Sequence, residues 1–323
     1  MLNRGLVVVC DRTWSRDDVS IRSDDLEFTS QVYFNALQGA LHRISDRVAV
    51  YESPKAFIDN IRSHRNDVVF TAIWSGRRSR NRKSLLPSIC ESYGISYVGA
   101  DSYVQTVCQD KYLTKLLCSD YNIEIPRGRL IDSLSNLNEL SLLDKYPVIV
   151  KPSMEGSSIG ISDDSIADSL EDAIVKTRRI IEDFHPVLVE EYVDGSEVSI
   201  CLAGHSNDIF LCEAVELIVD GETDFHHQIW GLESKKGGKA KCDRRIVTNQ
   251  IDESVLREAK RLFSDLGKVD YMRIDGRMYE GRFHLIELTP DCSLHPACFM
   301  AKAFEARGMN YDEMVEALAS IGL

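Results

Sequence analysis

The sequence predicts a mixed α/β chain. A parallel, helix-flanked sheet comes first, and further strands with a hairpin follow. Three observations carry this reading. Apolar strands and amphipathic helices alternate through the first hundred residues, the pattern of a parallel sheet with helices on its faces. Further strand patterns crowd together beyond Val187. Two apolar runs near the C-terminus flank Glu280-Gly281-Arg282, a hairpin signal.

Taken in order, Leu6 to Cys10 reads as a buried strand, Thr29 to Leu41 as a helix and Val48 to Tyr51 as a strand. Pro54 opens a helix to Ser63, because proline suits a first helical turn. Asp67 to Trp74 is a strand, Leu85 to Tyr93 a helix stopped by Gly94, and Ile95 to Val98 a strand. A helix starts at Val104 and carries Asp110-Lys111. A strand over Arg129 to Ile131 follows, with helices expected over Ser135 to Lys145 and Ser165 to Asp183. Strands are expected at Val148 to Val150, Val187 to Val193, Glu197 to Leu202 and Ile209 to Leu217. Gly221 to Arg245 has weak periodicity, and structureless loops of that length are often functional. Glu253 to Leu266 is a helix, Val269 to Asp275 and Phe283 to Leu288 form the hairpin, and Asn310 with Glu313 gives a capping box.

Composition narrows the function classes. The 323 residues are 44% hydrophobic and 28% charged, enough for a substantial core and two or three domains. The net charge of -13 argues against general binding to nucleic acid or acidic membranes. No apolar run is long enough to cross a bilayer, and the N-terminal run reads as a strand, not a signal peptide. Nine cysteines with no paired spacing suggest a reducing cytoplasm.

Three stretches carry candidate chemistry. In Pro147 to Ile161, PVIVKPSMEGSSIGI, a strand runs into Lys151 and a loop of small residues. Glycines let backbone N–H groups approach phosphate oxygens, serines add donors and lysine adds charge. The alternative is a surface loop with a snorkelling lysine. The basic run Arg77-Arg78-Ser79-Arg80-Asn81-Arg82-Lys83 lies past the carboxyl end of a strand, where ligands of open α/β sheets gather. It is either an anion site or a solvated loop. In the hairpin, Asp275 falls opposite Glu287 and Arg273 opposite Thr289, so the four share one face. Two carboxylates there suit Mg²⁺ with substrate phosphates. A salt-bridge ladder is the other reading.

In sequence order, Asp110-Lys111, VIVKPSMEGSSIGI, Val189 to Glu197, Arg273-Ile274-Asp275 and Leu285-Ile286-Glu287 resemble the motifs of the ATP-grasp superfamily, specifically D-alanine–D-alanine ligases. The resemblance implies a Rossmann-like N-terminal (pre-ATP-grasp) domain over 1–104. An α+β ATP-grasp fold would follow, with a central lobe over 105–200, a C-terminal lobe over 201–323 and ATP between them. It implies that Lys111 and Lys151 bind ATP phosphates under the Ser153 to Gly160 loop, with Ser157 and Ser158 near the reacting groups. Glu190 would take the adenine amino group, the backbone of Glu191 and Val193 the ring edge, and Glu197 the ribose. Asp275, Glu287 and Thr289 would hold one or two Mg²⁺ ions (Mn²⁺ as an alternative), and Arg273 would stabilise the tetrahedral intermediate. Lys235 or Lys236 would be the phosphate-binding lysine of a mobile loop. The partners implied are small-molecule carboxylate and amine substrates, no nucleic acid or membrane, and a second copy in a homodimer.

The departures cluster on the substrate side. Thr289 replaces the family's asparagine ligand, Ser293 stands at an oxyanion-hole glycine, and His295-Pro296-Ala297-Cys298 replaces the residues that hold the acceptor carboxylate. Trp74-Ser75-Gly76 and the basic run occupy the place of the N-terminal His-Gly signature. These changes point to substrates other than two D-alanines, with Arg77, Arg78, Arg80, Ser293 and His295 as substrate-side candidates. His226 and His227 are weaker candidates, and Trp230 and Tyr279 read as packing residues. The rivals are a true D-alanine–D-alanine ligase, an ATP-binding regulatory protein without turnover, and another ATP-grasp reaction such as ester formation.

Overall fold

The computed structural model describes residues 4–11, 30–73, 79–224, 229 and 241–322. The N-terminal sheet is parallel, in the order β2-β1-β3-β4, from β1 (Leu6–Cys10), β2 (Val48–Tyr51), β3 (Val68–Ala72) and β4 (Ser96–Val98). The helices α1 (Gln31–Ile44), α2 (Pro54–Asn60) and α3 (Leu85–Tyr93) connect its strands. Strand β1 is buried throughout, as a central strand covered on both faces must be. Ser30 and Ser53 cap α1 and α2 by accepting backbone N–H groups, and left-handed Gly94 ends α3.

The sequence expects one helix from Val104. The structure has two, α4 (Ser102–Gln109) and α5 (Lys111–Cys118). Asp110 breaks them, because its carboxylate accepts the N–H groups of Tyr112 and Leu113 and starts a new helix. A second sheet follows, antiparallel in the order β5-β8-β6-β7, from β5 (Gly128–Ile131), β6 (Val148–Pro152), β7 (Ile166–Ala167) and β8 (Val187–Glu191). Two expected helices are corrected here. Leu134–Leu142 is 3₁₀, and it buries Leu137 and Leu140, whose three-residue spacing matches that tighter turn. The helix expected from Ser165 is α6, only Leu170–Ile181. Ile166 and Ala167 instead pair with β6, and Ser169 caps the shorter helix.

The third sheet has the order β11-β10-β9-β12-β13. Its strands are β9 (Ser196–His205), β10 (Asp208–Val219), β11 (Cys242–Ile246), β12 (Tyr271–Tyr279) and β13 (Arg282–Pro290). Helix α7 (Glu253–Asp265) packs Ala259, Leu262 and Phe263 against one face. Strand β11 lies inside the stretch expected to lack structure. The sequence reading also missed helix α8 (Phe299–Ala306), which precedes α9 (Tyr311–Ile321), capped by the expected Asn310–Glu313 box. The expected boundaries at 104 and 200 fall inside α4 and β9. One core cluster also joins the first sheet to the chain's end: Val8, Leu37 and Phe70 lie in it with Tyr271, Phe304 and Leu318.

The β12–β13 register sets Asp275 opposite Glu287 and Arg273 opposite Thr289, with a bulge between Asp275 and Gly276. A Cβ at Gly276 would stand 2.4 Å from the Phe283 ring and 2.5 Å from the His284 carbonyl oxygen. Gly276→Ala is therefore expected to lower unfolding free energy by about 2 kcal/mol, as overpacking does. Urea denaturation checks this, and wild-type stability would contradict the tight bulge.

Candidate functional site

Residues two apart on a strand share a face, so Arg273, Asp275 and Arg277 of β12 look the same way as Glu287 and Thr289 of β13. Arg273 donates to both Asp275 oxygens at 3.0 Å. Thr289 Oγ1 donates to Asp275 at 2.7 Å and Ser199 Oγ at 2.5 Å. Glu287 meets Lys111 Nζ at 3.0 Å. Burial raises the Glu287 pKa, but Lys111 and then Lys151 and Arg273 outweigh it and hold the carboxyl down to about 2. Among the described residues no three His, Cys, Asp or Glu side chains gather as a metal cluster. The donor set still fits Mg²⁺, which takes one or two carboxylates and completes its shell with phosphate oxygens and water. Thr289 Oγ1 keeps lone pairs after giving its proton to Asp275.

A second charged group lies beneath this face. Glu190 is fully buried between two buried lysines, Lys151 at 2.6 Å and Lys115 at 3.0 Å. Lys151 donates to Oε1, and Lys115 Nζ stands against Oε2. Burial opposes the Glu190 charge, but Lys115 and Lys151 overcome it and the pKa falls. Burial likewise pushes the Lys115 pKa down, against the attraction of Glu190. The structure thus joins Lys151 directly to Glu190, which the resemblance gives to opposite ends of a nucleotide. Beyond them, Arg277 donates to Tyr192 Oη at 2.8 Å, Val193 O at 3.0 Å and Glu197 at 3.3 Å. The Glu191 backbone N–H donates to Arg127 O at 2.9 Å, and its carboxylate lies 3.8 Å from Lys145.

The Gly/Ser-rich loop leaves β6 and is anchored where it starts. Gln109 and Lys111 donate to the carbonyls of Met154 and Glu155, and Arg82 pairs with the Glu155 carboxylate at 3.0 Å. Ser157 and Ser158 have φ of 53° and 61° and form the centre of a tight turn closed by the Ile159 N–H, which donates to Gly156 O at 3.0 Å. Ile159 is buried against Phe184 and anchors the far end.

The substrate-side candidates are spread out. Ser293 Oγ accepts the His295 N–H at 3.2 Å, and burial, then Arg244, lowers the His295 pKa. Arg80 is exposed, whereas Arg82 ties the basic run to the loop. Arg77, Arg78, Lys235, Lys236, Trp74, His226, His227 and Trp230 lie outside the described residues. A cavity of about 470 Å³ opens beside this region, lined by Thr71, Ile73, Arg82, Lys83, Gln105 and Asp291. Asp291 is buried and accepts from Ala100 N at 2.8 Å and Gln105 Nε2 at 2.6 Å; burial raises its pKa to about 7. Sequence reasoning missed Lys115, Arg277, Gln109 and Asp291. The first two left a signal: Lys115 is four residues after Lys111 on a helix, and Arg277 two after Asp275 on a strand. Gln109 and Asp291 act on residues far away in the chain and left none.

The family model described as D-ala D-ala ligase C-terminus matches residues 131–320, more than half of the chain. The D-alanine–D-alanine ligase of Thermotoga petrophila is 25% identical over 281 residues, covering 86% of this chain and 87% of that protein. The enzyme of the same name from Haemophilus ducreyi is 25% identical over 296 residues, covering 89% and 91%. Among solved structures, a Bacillus anthracis D-alanine–D-alanine ligase complexed with ATP superposes with a TM-score of 0.71 at 16% identity, covering 99% of this chain and 97% of that one. The VanG D-Ala:D-Ser ligase of Enterococcus faecalis gives 0.71 at 16%, covering all of both chains. These structures share the ATP-grasp fold seen here. The chain belongs to the D-ala D-ala ligase family and is an ATP-grasp ligase that forms carbon–nitrogen bonds.

Proposed function

We propose that this chain joins a carboxylic acid to an amine, with ATP converted to ADP and phosphate through an acyl phosphate. The observation that carries this is the single face on which Arg273, Asp275, Glu287 and Thr289 stand, with Lys111 reaching Glu287 and the Gly/Ser-rich loop start. ATP would lie between that face and the loop, its adenine amino group toward Glu190 and its ribose toward Glu197. Asp275 and Glu287, with Thr289 beside them, would hold Mg²⁺, which supplies neutralisation of phosphate charge. A carboxylate oxygen attacks the γ-phosphorus and the bond to the bridging oxygen of ADP breaks. The amine then attacks the acyl carbon, phosphate leaves with the former carboxylate oxygen, and the amine proton is released. Arg273 sits where it would neutralise the oxyanion of that second step. Closure of the loop with Ser157 and Ser158 would keep water from the acyl phosphate. Nine cysteines without paired spacing and a net charge of -13 suit a reducing cytoplasm.

We further propose substrates other than two D-alanines. The support is local: Thr289 in place of a ligand asparagine, and the Ser293–His295 turn in place of the family's acceptor-binding residues. A second reading, ligation of two D-alanines, is favoured by relatives of that name that align over most of both chains. A panel of amino and carboxylic acids that includes D-alanine, with ATP and Mg²⁺, decides between them by phosphate release and product mass.

Lys151→Ala and Glu287→Ala are each expected to cut turnover by about 10²-fold or more, and a wild-type rate in either would remove these residues from the site. Lys115→Met leaves Glu190 with one cation, so unfolding free energy should fall by about 3 kcal/mol; an unchanged urea midpoint would contradict the buried triad. For metal-free protein, the depressed Glu287 pKa makes a stabilising contribution that is complete above about pH 4.5 and lost as pH falls toward about 2. Chemical denaturation of wild type and Glu287→Gln across that window should show the difference between them shrinking toward acid. A constant difference would refute the coupling.

A further inference from the structure

Strand β11 carries an arginine that the site described above does not use. The ladder pairs Arg244 with Leu217 of β10, and ladder partners point to the same side of a sheet. Val215 pairs with Ser199, and Ser199 pairs with Asp275. Leu217 lies two residues from Val215, so Arg244 projects from the same face as Arg273 and Asp275. Helix α8 begins on this face, and its Phe299 ring is shared by two cations. The Arg273 guanidinium lies 5.1 Å from the ring centroid and the Arg244 guanidinium 5.2 Å. Arg273 is balanced by Asp275. Arg244 makes no ion pair and no side-chain hydrogen bond among the described residues, and its Nε is buried without a partner.

The acids nearby are committed elsewhere. Glu216 pairs with Arg245 at 2.5 Å and Glu213 with Arg307 at 2.6 Å. Asp243, next to Arg244 along the strand, points to the opposite face and accepts the Arg244 backbone N–H at 2.7 Å. A half-buried guanidinium with an orphaned donor is costly unless an anion completes it. Stacking on Phe299 fixes the plane of the guanidinium, which suits it to grip a carboxylate with two parallel hydrogen bonds. His295 lies close enough to feel the Arg244 charge, and its Nδ1 accepts the Ala297 N–H at 3.0 Å.

We propose that Arg244, fixed on Phe299, binds the carboxylate of the amine-bearing substrate, in place of the residues that hold it elsewhere in the family. This rests on the ligase reading. It also fits the replacement, at Ser293 and His295, of the family's acceptor residues. Arg244 here is a specificity residue for the acceptor, with no part in ATP binding.

The test uses the full chain with Mg²⁺ and ADP. Glycine, D-alanine, L-alanine, D-serine and D-aspartate are titrated by calorimetry, each beside its amide, and the same acids are scored with ATP for phosphate release. Wild type should bind at least one acid about tenfold more tightly than its amide, the size of one charge-assisted contact. Arg244→Gln should erase that preference and raise acceptor KM about tenfold with ATP KM unchanged. Arg244→Lys, which keeps the charge and loses the fork, should fall between and guards against a variant that does not fold. Equal binding of acids and amides by wild type, no acid bound at all, or an unchanged acceptor KM in Arg244→Gln would overturn the proposal. Carboxylate preference without phosphate release would overturn the ligase reading alone.

Discussion

The antiparallel register of β12 and β13 governs where every charge of the site can stand. A strand presents alternate side chains to one face, so a slip of one residue would turn Arg273, Asp275, Glu287 and Thr289 toward the opposite side. The bulge at Gly276 lies immediately beyond the last paired carboxylate and absorbs an irregularity without disturbing that pair. The rest of the sheet extends the same constraint. Ser199 reaches Asp275 from β9, Arg277 reaches Glu197, and the ladder through β10 brings Arg244 onto the face.

Electrostatics then fixes what the face can accept. Glu190 and Glu287 are carboxylates held ionised by lysines, Lys115 and Lys151 for one and Lys111 for the other. Such pairs are weak sources of stability, because the loss of hydration offsets most of the attraction. Their effect is on position. Lys111 reaches the Glu155 carbonyl and Lys151 lies on the strand that leads into the Gly/Ser-rich loop, so both are fixed at its start. Arg82 extends this to the N-terminal domain by pairing with Glu155 at the loop's start, which gives the basic run a mechanical role beyond any contact with substrate.

Some of this was legible in the sequence for simple reasons. The hairpin was readable down to its residue pairs, because Gly281 marks the turn and strand periodicity does the counting. The capping box at Asn310 and the parallel sheet were local patterns too. The 3₁₀ segment over Leu134–Leu142 and the β7 strand were not. Leucines at spacings of three suit a 3₁₀ turn or an α-helix equally, and a two-residue edge strand exists only because β6 lies beside it. Helix α8 was missed because it opens in a Pro-Ala-Cys context without a side-chain cap.

The sequence alone determined the ligase class, since lysines, a glycine-rich loop and paired carboxylates in a fixed order are short motifs that identify the family. Only the tertiary structure decided which charges meet. Lys115 and Glu190 are 75 residues apart in the chain and 3.0 Å apart in space. Arg244, read from the sequence as one residue of a long loop, stands on the reaction face because three strands carry the pleat across to it. Side-chain type is a local property, whereas the pairing of buried charges depends on which segments the core draws together, and no local pattern encodes that.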